Sequence, residues 1–277
     1  MKPVTTLDAG RCVVRSTHLR RGRSRSLDPS TTAARQLRYG RIILEPADAP
    51  VAFANSGMET ALVALRGQAL VAAGGKRFTL APYDTLYVPR DVSLEARPGT
   101  PGCDLAEIAA PVDGVYPLRL VPWAEVQSDP GLHFTAGTSP TRRTVNILVG
   151  KNVQAGRLLC GVTFSEAGGW TSWPPHEHAQ MLEEAYLYVD MPAPAWGIQL
   201  VYTNPQAPEL AVVVREGDVV LMPAGYHPNV AAPGGTINFL WMMAAHREGA
   251  DRQFGVVNVQ PEYAAAGSGL EPGRTSK

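Results

Sequence analysis

The residues best suited to chemistry lie near the middle of the chain, between Trp173 and Tyr188. His176 and His178 are separated by a single residue, Glu177. Residues i and i+2 of an extended segment point to the same side, so both imidazoles can reach one point. An acidic pair follows, and a further histidine, His227, comes after a Pro-Ala-Gly turn. Three imidazoles and a carboxylate form a ligand set that suits Zn²⁺, Mn²⁺ or Fe²⁺ and leaves positions open for water or substrate.

The elements that must position these side chains are predicted to be short strands. Aromatic and aliphatic content indicates a strand over Met181–Val189, and another ends just before Pro223. Hydrophobic residues make up 45% of the 277 residues and charged residues 18%, with 27 Gly and 24 Pro. This composition favours many short strands and turns over long helices, so we expect an all-β, antiparallel fold.

The chain also carries a weak internal repeat. Asp84-Thr-Leu-Tyr-Val-Pro89 resembles Asp218-Val-Val-Leu-Met-Pro223, 134 positions further on, which predicts two copies of one module. Four residues past the proline the second copy has His227, whereas the first has Ser93. We therefore expect a metal site only in the C-terminal module.

The sequence divides into four predicted segments: a basic arm (1–40), an N-terminal module (41–138), a C-terminal module (139–250) and a tail (251–277). The arm is rich in arginine and serine. It could be solvated, bind an anion or pack across a partner subunit. The last residues of the chain, Ala264 to Lys277, are predicted to be disordered.

Several segments resemble the family of 5-deoxy-glucuronate isomerase and 5-dehydro-4-deoxy-glucuronate isomerase, in the cupin superfamily. The segments are Pro174-Pro-His-Glu-His178, Leu182-Glu-Glu-Ala-Tyr186, Val220-Leu-Met-Pro-Ala-Gly-Tyr-His-Pro228 and the arginine-rich Thr141-Arg-Arg-Thr-Val-Asn146. The resemblance is sharp over residues 139 to 245. It implies a two-module cupin (bicupin) built from antiparallel jelly-roll barrels.

The resemblance also implies a ligand set. The family's acidic ligand precedes a tyrosine by two residues, as Glu184 precedes Tyr186. The implied metal ligands are therefore His176, His178, Glu184 and His227. Glu183 faces the other side of the strand and is expected to act as a proton carrier or as a hydrogen-bond partner of the ligands.

Further residues are expected to form the cavity. Tyr186 and Tyr226 are placed there as candidate catalytic groups. Arg142 or Arg143 could hold a substrate carboxylate in the planar fork of a guanidinium. Adjacent strand residues point apart, so at most one of the two reaches the site, and ordinary salt bridges are the alternative.

A divalent ion, zinc first and manganese or iron otherwise, could act as a Lewis acid on an α-hydroxy carbonyl and stabilise an enediolate. A base, for which Glu183, Glu177 and a tyrosinate are candidates, would move a proton between C2 and C1. The resemblance implies a deoxy-uronate substrate. Gly225-Tyr-His-Pro228 favours 5-deoxy-glucuronate of inositol breakdown, whereas the short spacing between His178 and the glutamates is nearer to the isomerase of pectin breakdown.

Other classes can be weighed against this prediction. A non-haem iron dioxygenase or a non-catalytic sugar-binding cupin could use the same ligands. The formal net charge of zero argues against nucleic acid as a partner, and the lack of an 18-residue apolar run argues against a membrane span. Three widely spaced cysteines fit a reducing cytosol. We expect a cytoplasmic enzyme and, by analogy, a homo-oligomer.

Overall fold

The computed structural model describes residues 7–270, which are built almost entirely from antiparallel strands. In chain order the first elements are α1 (Ala9–Cys12), β1 (Val13–Val14), η1 (Thr17–Leu19), β2 (Gly22–Leu27), β3 (Arg38–Leu44), β4 (Val51–Ala54), β5 (Met58–Ala73), β6 (Lys76–Leu80), β7 (Thr85–Val88), β8 (Ser93–Pro111) and β9 (Arg119–Val121). The α-helices are short, and among residues 7–270 no helix is long and apolar enough to cross a membrane.

The second half begins with a short helix and then continues in strands. Its elements are α2 (Trp123–Ser128), β10 (His133–Ala136), β11 (Arg143–Val149), β12 (Leu158–Ser165), β13 (Trp170–Thr171), β14 (His176–Glu177), β15 (Leu182–Tyr188), β16 (Gly197–Val201), β17 (Leu210–Val214), β18 (Val219–Met222), β19 (Asn229–Ala231), β20 (Phe239–Ala245), β21 (Asn258–Val259) and η2 (Pro261–Ala266). The 3₁₀ helix η2 overlaps the segment predicted to be disordered; residues 271–277 of that prediction lie outside the described residues.

Strands β2 to β9 form one sheet, which is called the N-terminal module below. Its order is β2-β3-β8-β5-β7-β9, with β4 added to β8 and β6 added to β5. Successive residues of a strand point to opposite faces. Leu62 and Ala64 of β5 accordingly belong to the module's own core, whereas Ala61 and Val63 belong to a larger core shared with the rest of the protein.

The strands from β10 onward, together with β1, form the C-terminal module. Its main sheet has the order β1-β18-β15-β20-β12-β11-β10, and it is accompanied by a four-stranded sheet, β13-β19-β16-β17. Strand β15 lies inside the main sheet between β18 and β20, and all seven of its residues are buried. The short pair β14-β21 attaches the tail to the segment that contains His176.

The basic lead-in contributes to both modules. Strand β1 pairs with β18 of the C-terminal module, and β2 pairs with β3 of the N-terminal module. Arg23 and Arg25 on β2 form ion pairs with the buried carboxylate of Glu107, at 2.7 and 3.1 Å. These two arginines therefore contact the interior of the N-terminal module.

Candidate metal centre and its pocket

Strand β15 decides where its two neighbouring glutamates point. Glu184, Tyr186 and Tyr188 lie on one face of this strand, and Glu183 lies on the other. Tyr186 contributes to the lining of a pocket inside the C-terminal module, as does Glu184. One step along the chain thus separates a glutamate inside the module from a glutamate on its outer face.

Two histidines converge on Glu184. His178 Nε2 lies 3.0 Å from Glu184 Oε2, and His227 Nε2 lies 3.1 Å from the same oxygen. The candidate ligand atoms of these three residues all lie within 4.8 Å of one another, and all three residues are buried. His178 follows β14 and His227 precedes β19, so three separate segments of the chain meet at this point.

The other ring nitrogens are turned away from the cluster. His227 Nδ1 lies 3.0 Å from the carbonyl oxygen of Gly225, and His178 Nδ1 lies 3.4 Å from that of Leu182. A carbonyl oxygen can only accept, so each Nδ1 carries the hydrogen. In the neutral tautomer Nε2 is then left as a lone pair that faces Glu184, which is the arrangement a metal-binding imidazole requires.

His227 Nε2 supplies a direct test of whether the cluster suits a cation. This atom is buried and, among the described residues, has no hydrogen-bond partner, because its approach to Glu184 lacks hydrogen-bonding geometry. A buried polar atom without a partner is destabilising in a folded protein. A metal ion bound by both imidazoles and the carboxylate would satisfy it, so the donor set fits a divalent cation.

The electrostatics of the cluster are dominated by burial and by the close approach of these groups. Burial opposes ionisation of Glu184, but the hydrogen bond with His178 and the charge interactions with His178 and His227 outweigh it and lower its pKa to about 2. Burial also disfavours a charged His178, yet its hydrogen bond to Glu184 raises its pKa above the ordinary value. A metal ion has to displace the proton from His178, so binding should be weaker at acidic pH.

His176 lies at the edge of the cluster. Its ring centroid is 4.9 Å from that of His227 and 6.3 Å from that of His178. Its Nδ1 is hydrogen-bonded to the carbonyl oxygen of Pro174 at 2.8 Å. Burial and the two neighbouring imidazoles lower the pKa of His176 to about 3, so the ring is neutral. It can therefore offer Nε2 either to an ion or to a bound ligand.

The pocket beside the cluster has a volume of about 60 Å³. Its walls include Arg143, which is buried, and the aromatic rings of Phe239 and Trp241. The Arg143 guanidinium donates to the carbonyl oxygens of Thr141, Trp173 and Gly269. Arg142 lies on the exposed face of the chain and forms an ion pair with Glu166 at 3.4 Å. Of the two arginines, only Arg143 lines the pocket.

The candidate catalytic residues are not brought together. Tyr186 lines the pocket, where its ring stacks on Phe239 at 4.1 Å. Tyr226 does not line it; its ring packs 5.7 Å from Tyr202. Glu183 is fully buried, and its carboxylate accepts hydrogen bonds from three consecutive backbone N–H groups, those of residues 35, 36 and 37. This orientation separates Glu183 from the pocket.

Glu177, another candidate base, is also turned away from the cluster. Its carboxylate accepts hydrogen bonds from Ala179 N at 2.8 Å and from Asn258 Nδ2 at 2.6 Å. The first contact lies within the segment that carries the His-x-His pair. The second joins this segment to strand β21. The side chain is therefore engaged in local structure.

Two parts of the pocket were not anticipated from the sequence. One is Ser172, whose hydroxyl lies 2.8 Å from the hydroxyl of Tyr186. The other is the tail, because residues 253–257 and Leu270 line the pocket and Phe254 stacks on Trp241 at 5.2 Å. The apolar run Phe254-Gly-Val-Val257 was the available signal for the tail. No local pattern marks Ser172.

Comparison with known proteins places this geometry in a family. The sequence profile of the KduI/IolB family matches residues 15–261. The chain belongs to the KduI/IolB family. It is 34% identical over 203 residues to the 5-deoxy-glucuronate isomerase of Geobacillus kaustophilus (strain HTA426), covering 67% of this chain and 71% of that protein. The corresponding isomerase of Geobacillus thermodenitrificans (strain NG80-2) is 35% identical over 203 residues, covering 67% and 72%.

A solved structure shares the fold of this KduI/IolB member. The crystal structure of an IolB-like protein from Salmonella typhimurium LT2 matches with a TM-score of 0.78 and 22% identity, covering 92% of this chain and 98% of that one. The predicted family and the all-β, antiparallel, cupin-like fold are confirmed. The prediction of an isomerase is likewise confirmed by the curated relatives.

Proposed function

We propose that this KduI/IolB protein converts 5-deoxy-glucuronate into the corresponding ketose, 2-deoxy-5-keto-gluconate, with the help of a divalent metal ion. The observation that carries the proposal is the convergence of His178 Nε2 and His227 Nε2 on one oxygen of Glu184, at 3.0 and 3.1 Å, beside a pocket that also contains a buried arginine. The names of the curated relatives supply the substrate.

The proposed ligands are His178, Glu184 and His227, with His176 as the fourth. Zinc is our first choice, since imidazole nitrogen and carboxylate oxygen suit it, and manganese or iron are compatible with the same donors. When bound, such an ion supplies a Lewis acid for the substrate's carbonyl oxygen. The protein's part is to hold the ligands with their Nε2 atoms turned inward.

The proposed position of the substrate follows from the order of the strands. Glu184 is on β15 and Arg143 on β11, and the strands β20 and β12 lie between them. Both side chains line the same pocket. We place the substrate, a six-carbon acid, with its carbonyl at the metal ligands and its carboxylate at Arg143. The guanidinium offers a positive charge to that carboxylate.

The floor between these ends is apolar and aromatic. Phe239 and Trp241 on β20 line it, and the tail residue Phe254 stacks on Trp241. Such walls exclude water, which strengthens the electrostatic contacts of a bound substrate and protects a reactive enediolate from side reactions. In this proposal Tyr186 is the pocket tyrosine that handles protons, whereas Glu183 and Tyr226 have no direct contact with the substrate.

The proposed function is tested by NMR with the zinc- and the manganese-loaded protein under anaerobic conditions. We expect the aldehyde and hydrate signals of 5-deoxy-glucuronate to give way to those of a ketone with an adjacent hydroxymethyl group. The 4-deoxy-5-keto-uronate of pectin breakdown, run in parallel, should react much more slowly. Glu184→Gln serves as the inactive control.

The outcomes separate the competing functions. A preference for the pectin-derived sugar would move the protein to that branch of the family. Saturable binding without product would indicate a sugar-binding cupin, and turnover that requires oxygen and iron would indicate a dioxygenase. Either result contradicts the proposed isomerisation.

The proposal includes a cytoplasmic location and a homo-oligomer. All three cysteines are free and buried, in keeping with a reducing compartment. Light scattering on the purified protein checks the oligomeric state, and a monomeric mass would contradict that part of the proposal.

A further inference from the structure

A pair of hydroxyl groups lies in the wall of the metal pocket. Ser172 Oγ and Tyr186 Oη are 2.8 Å apart, and either atom can be the donor. Both residues are buried, and both line the pocket together with His176, His178 and Glu184. The ring centroid of Tyr186 is 6.0 Å from that of His227. The pair therefore stands next to the place where the substrate's carbonyl end is proposed to bind.

The backbone at Ser172 is unusual. Its φ of 50° lies in the left-handed region, which residues with a Cβ rarely adopt. Such a conformation costs about 1–3 kcal/mol and persists where the surrounding structure enforces it, often at functional sites. Glycine would adopt this φ without strain. The serine that stands there contributes a hydroxyl that glycine would lack.

The isomerisation requires more than the transfer of a carbon-bound proton. As the C2 proton leaves to a base, the C2–H electrons form the C1=C2 bond and the carbonyl electrons move to O1. The product has its hydroxyl on C1 and its carbonyl on C2. One proton must therefore also pass from O2 to O1 before the base returns its proton to C1.

We propose that the Ser172–Tyr186 pair carries this hydroxyl proton from O2 to O1. One oxygen of the pair accepts the O2 proton while the other donates its own proton to O1, and the hydrogen bond between the two reverses direction. No net charge appears on the pair, and after reprotonation of C1 both residues are as they began. This inference rests on the proposed function, for which it names the oxygen-to-oxygen step.

The surroundings of the pair favour such a neutral exchange. Both hydroxyl groups belong to buried residues, and each has the other as a hydrogen-bond partner. The ring is held by its stacking on Phe239. An exchange of one proton for another needs no phenolate, so the apolar setting does not oppose it.

The test follows two signals by NMR with 5-deoxy-glucuronate deuterated at C2. One is ketose formation, and the other is loss of deuterium from C2 of the remaining aldose, which reports cleavage of the carbon–hydrogen bond. Ser172→Gly removes the hydroxyl and suits the positive φ; Tyr186→Phe removes the other hydroxyl and keeps the ring stacked. Asp91→Gly is the matched control, because Asp91 has a φ of 64° and lies in the N-terminal module.

We expect each variant of the pair to slow ketose formation by about 100-fold or more, the usual contribution of a positioned proton-transfer group. KM and metal content should stay near those of the wild type. Loss of deuterium from C2 should persist, so the ratio of exchange to isomerisation rises. Because the pair acts as one unit, the double variant should be no slower than Tyr186→Phe alone.

Two results would overturn the relay. One is wild-type ketose formation by Ser172→Gly; the other is a parallel fall of exchange and isomerisation together with loss of metal, which is what a structural role predicts. Wild-type protein that leaves the sugar unchanged would instead overturn the proposed function, and the relay with it.

Discussion

The two modules have corresponding strands, but they carry different residues at the positions of the proposed metal ligands. Thr60 on β5 pairs with Val88, the residue before Pro89, and Glu184 on β15 pairs with Met222, the residue before Pro223. Thr60 is thus the counterpart of the central carboxylate. His176 and His178 precede Glu184 by eight and six residues, and the residues at the same spacings before Thr60 are Ala52 and Ala54. The N-terminal module therefore lacks all the proposed metal ligands at these positions.

The interiors of the two modules share a glycine on corresponding strands but differ in the residues that pair with it. On β3 of the N-terminal module, Gly40 pairs with Arg25 on one side and Glu107 on the other. On β12, Gly161 pairs with Ile147 and Trp241. A Cβ on either glycine would lie 2.3 or 2.2 Å from a neighbouring carbonyl oxygen, so both strands require glycine.

In one module polar side chains occupy the interior and satisfy one another, whereas the interior of the other module contains a pocket. In the N-terminal module Glu107 binds Arg23 and Arg25, and Asn55 connects it to Thr60. These mutual contacts occupy the interior. In the C-terminal module apolar side chains stand at the corresponding positions, and they cannot satisfy the imidazoles and carboxylate. The polar groups there remain available for an ion and a substrate.

The outer faces of the two corresponding strands are alike. Glu59 accepts hydrogen bonds from the N–H groups of residues 156, 157 and 158, at the start of β12. Glu183 likewise accepts from residues 35, 36 and 37, just before β3. Each module thus sends one buried carboxylate to three consecutive N–H groups where a strand of the other begins. This likeness assigns Glu183 to the contact between modules.

The largest expected effect comes from giving the C-terminal module the residue of its counterpart. Glu184→Thr should lower metal affinity by more than about 100-fold, because even the loss of a group that only supports a ligand costs 10- to 100-fold. Isomerisation should become undetectable. Metal content after dialysis and NMR turnover measure the two effects. Thr60→Ser, the matched change in the N-terminal module, should alter neither, and full metal retention by Glu184→Thr would contradict the assigned ligand.

Removing the buried charge of the N-terminal module should change the protein's stability. Glu107→Gln leaves Arg23 and Arg25 without their buried anion and should lower the free energy of unfolding by roughly 3 kcal/mol. Urea denaturation measures this, and metal content should not change. Arg97→Met, which removes the exposed ion pair with Glu95, should cost less than about 1 kcal/mol. Equal effects of the two variants would mean that the Glu107 contacts do not stabilise the interior.

The two outer glutamates should behave as a pair. Glu59→Gln and Glu183→Gln each weaken three charge-assisted hydrogen bonds and should lower the free energy of unfolding by roughly 2 kcal/mol, by similar amounts. Turnover per bound metal should stay close to that of the wild type. If Glu183→Gln alone abolished turnover while stability held, Glu183 would be a proton carrier after all.

The smallest expected effect separates the neighbouring arginines. Arg143→Lys keeps the charge but loses the guanidinium N–H groups that hold it in the pocket wall, and KM for 5-deoxy-glucuronate should rise about 10-fold, or 1.4 kcal/mol. Arg142→Lys should change KM by less than about twofold, because its side chain faces Glu166 and solvent. Steady-state kinetics on the sugar acid and on a neutral analogue give the comparison. A similar rise for both substrates would argue against a carboxylate contact.

Much of the fold followed from local patterns. Aromatic and aliphatic content predicted β15 over Met181–Val189, and the strand spans Leu182–Tyr188. The repeated proline motif predicted two modules, and in the structure Thr60 and Glu184 pair with the residues before those two prolines. The lead-in was harder to predict. Its arginines are typical of a solvated arm, yet Arg23 and Arg25 contact a carboxylate that is 84 and 82 positions away.

The sequence by itself determined which residue types could form a site and that neighbouring residues on a strand must diverge, because the side-chain period of two is a local property of the backbone. The strand period separated Glu183 from Glu184 and Arg142 from Arg143 without saying which of each pair faces inward, and only the family resemblance selected Glu184. The tertiary structure decided the inward side chain of both pairs, because the inner face exists only once other strands cover it. The tertiary structure also decided that the tail lines the pocket and that Ser172 contacts Tyr186. Both features join segments of the chain that no local sequence pattern relates.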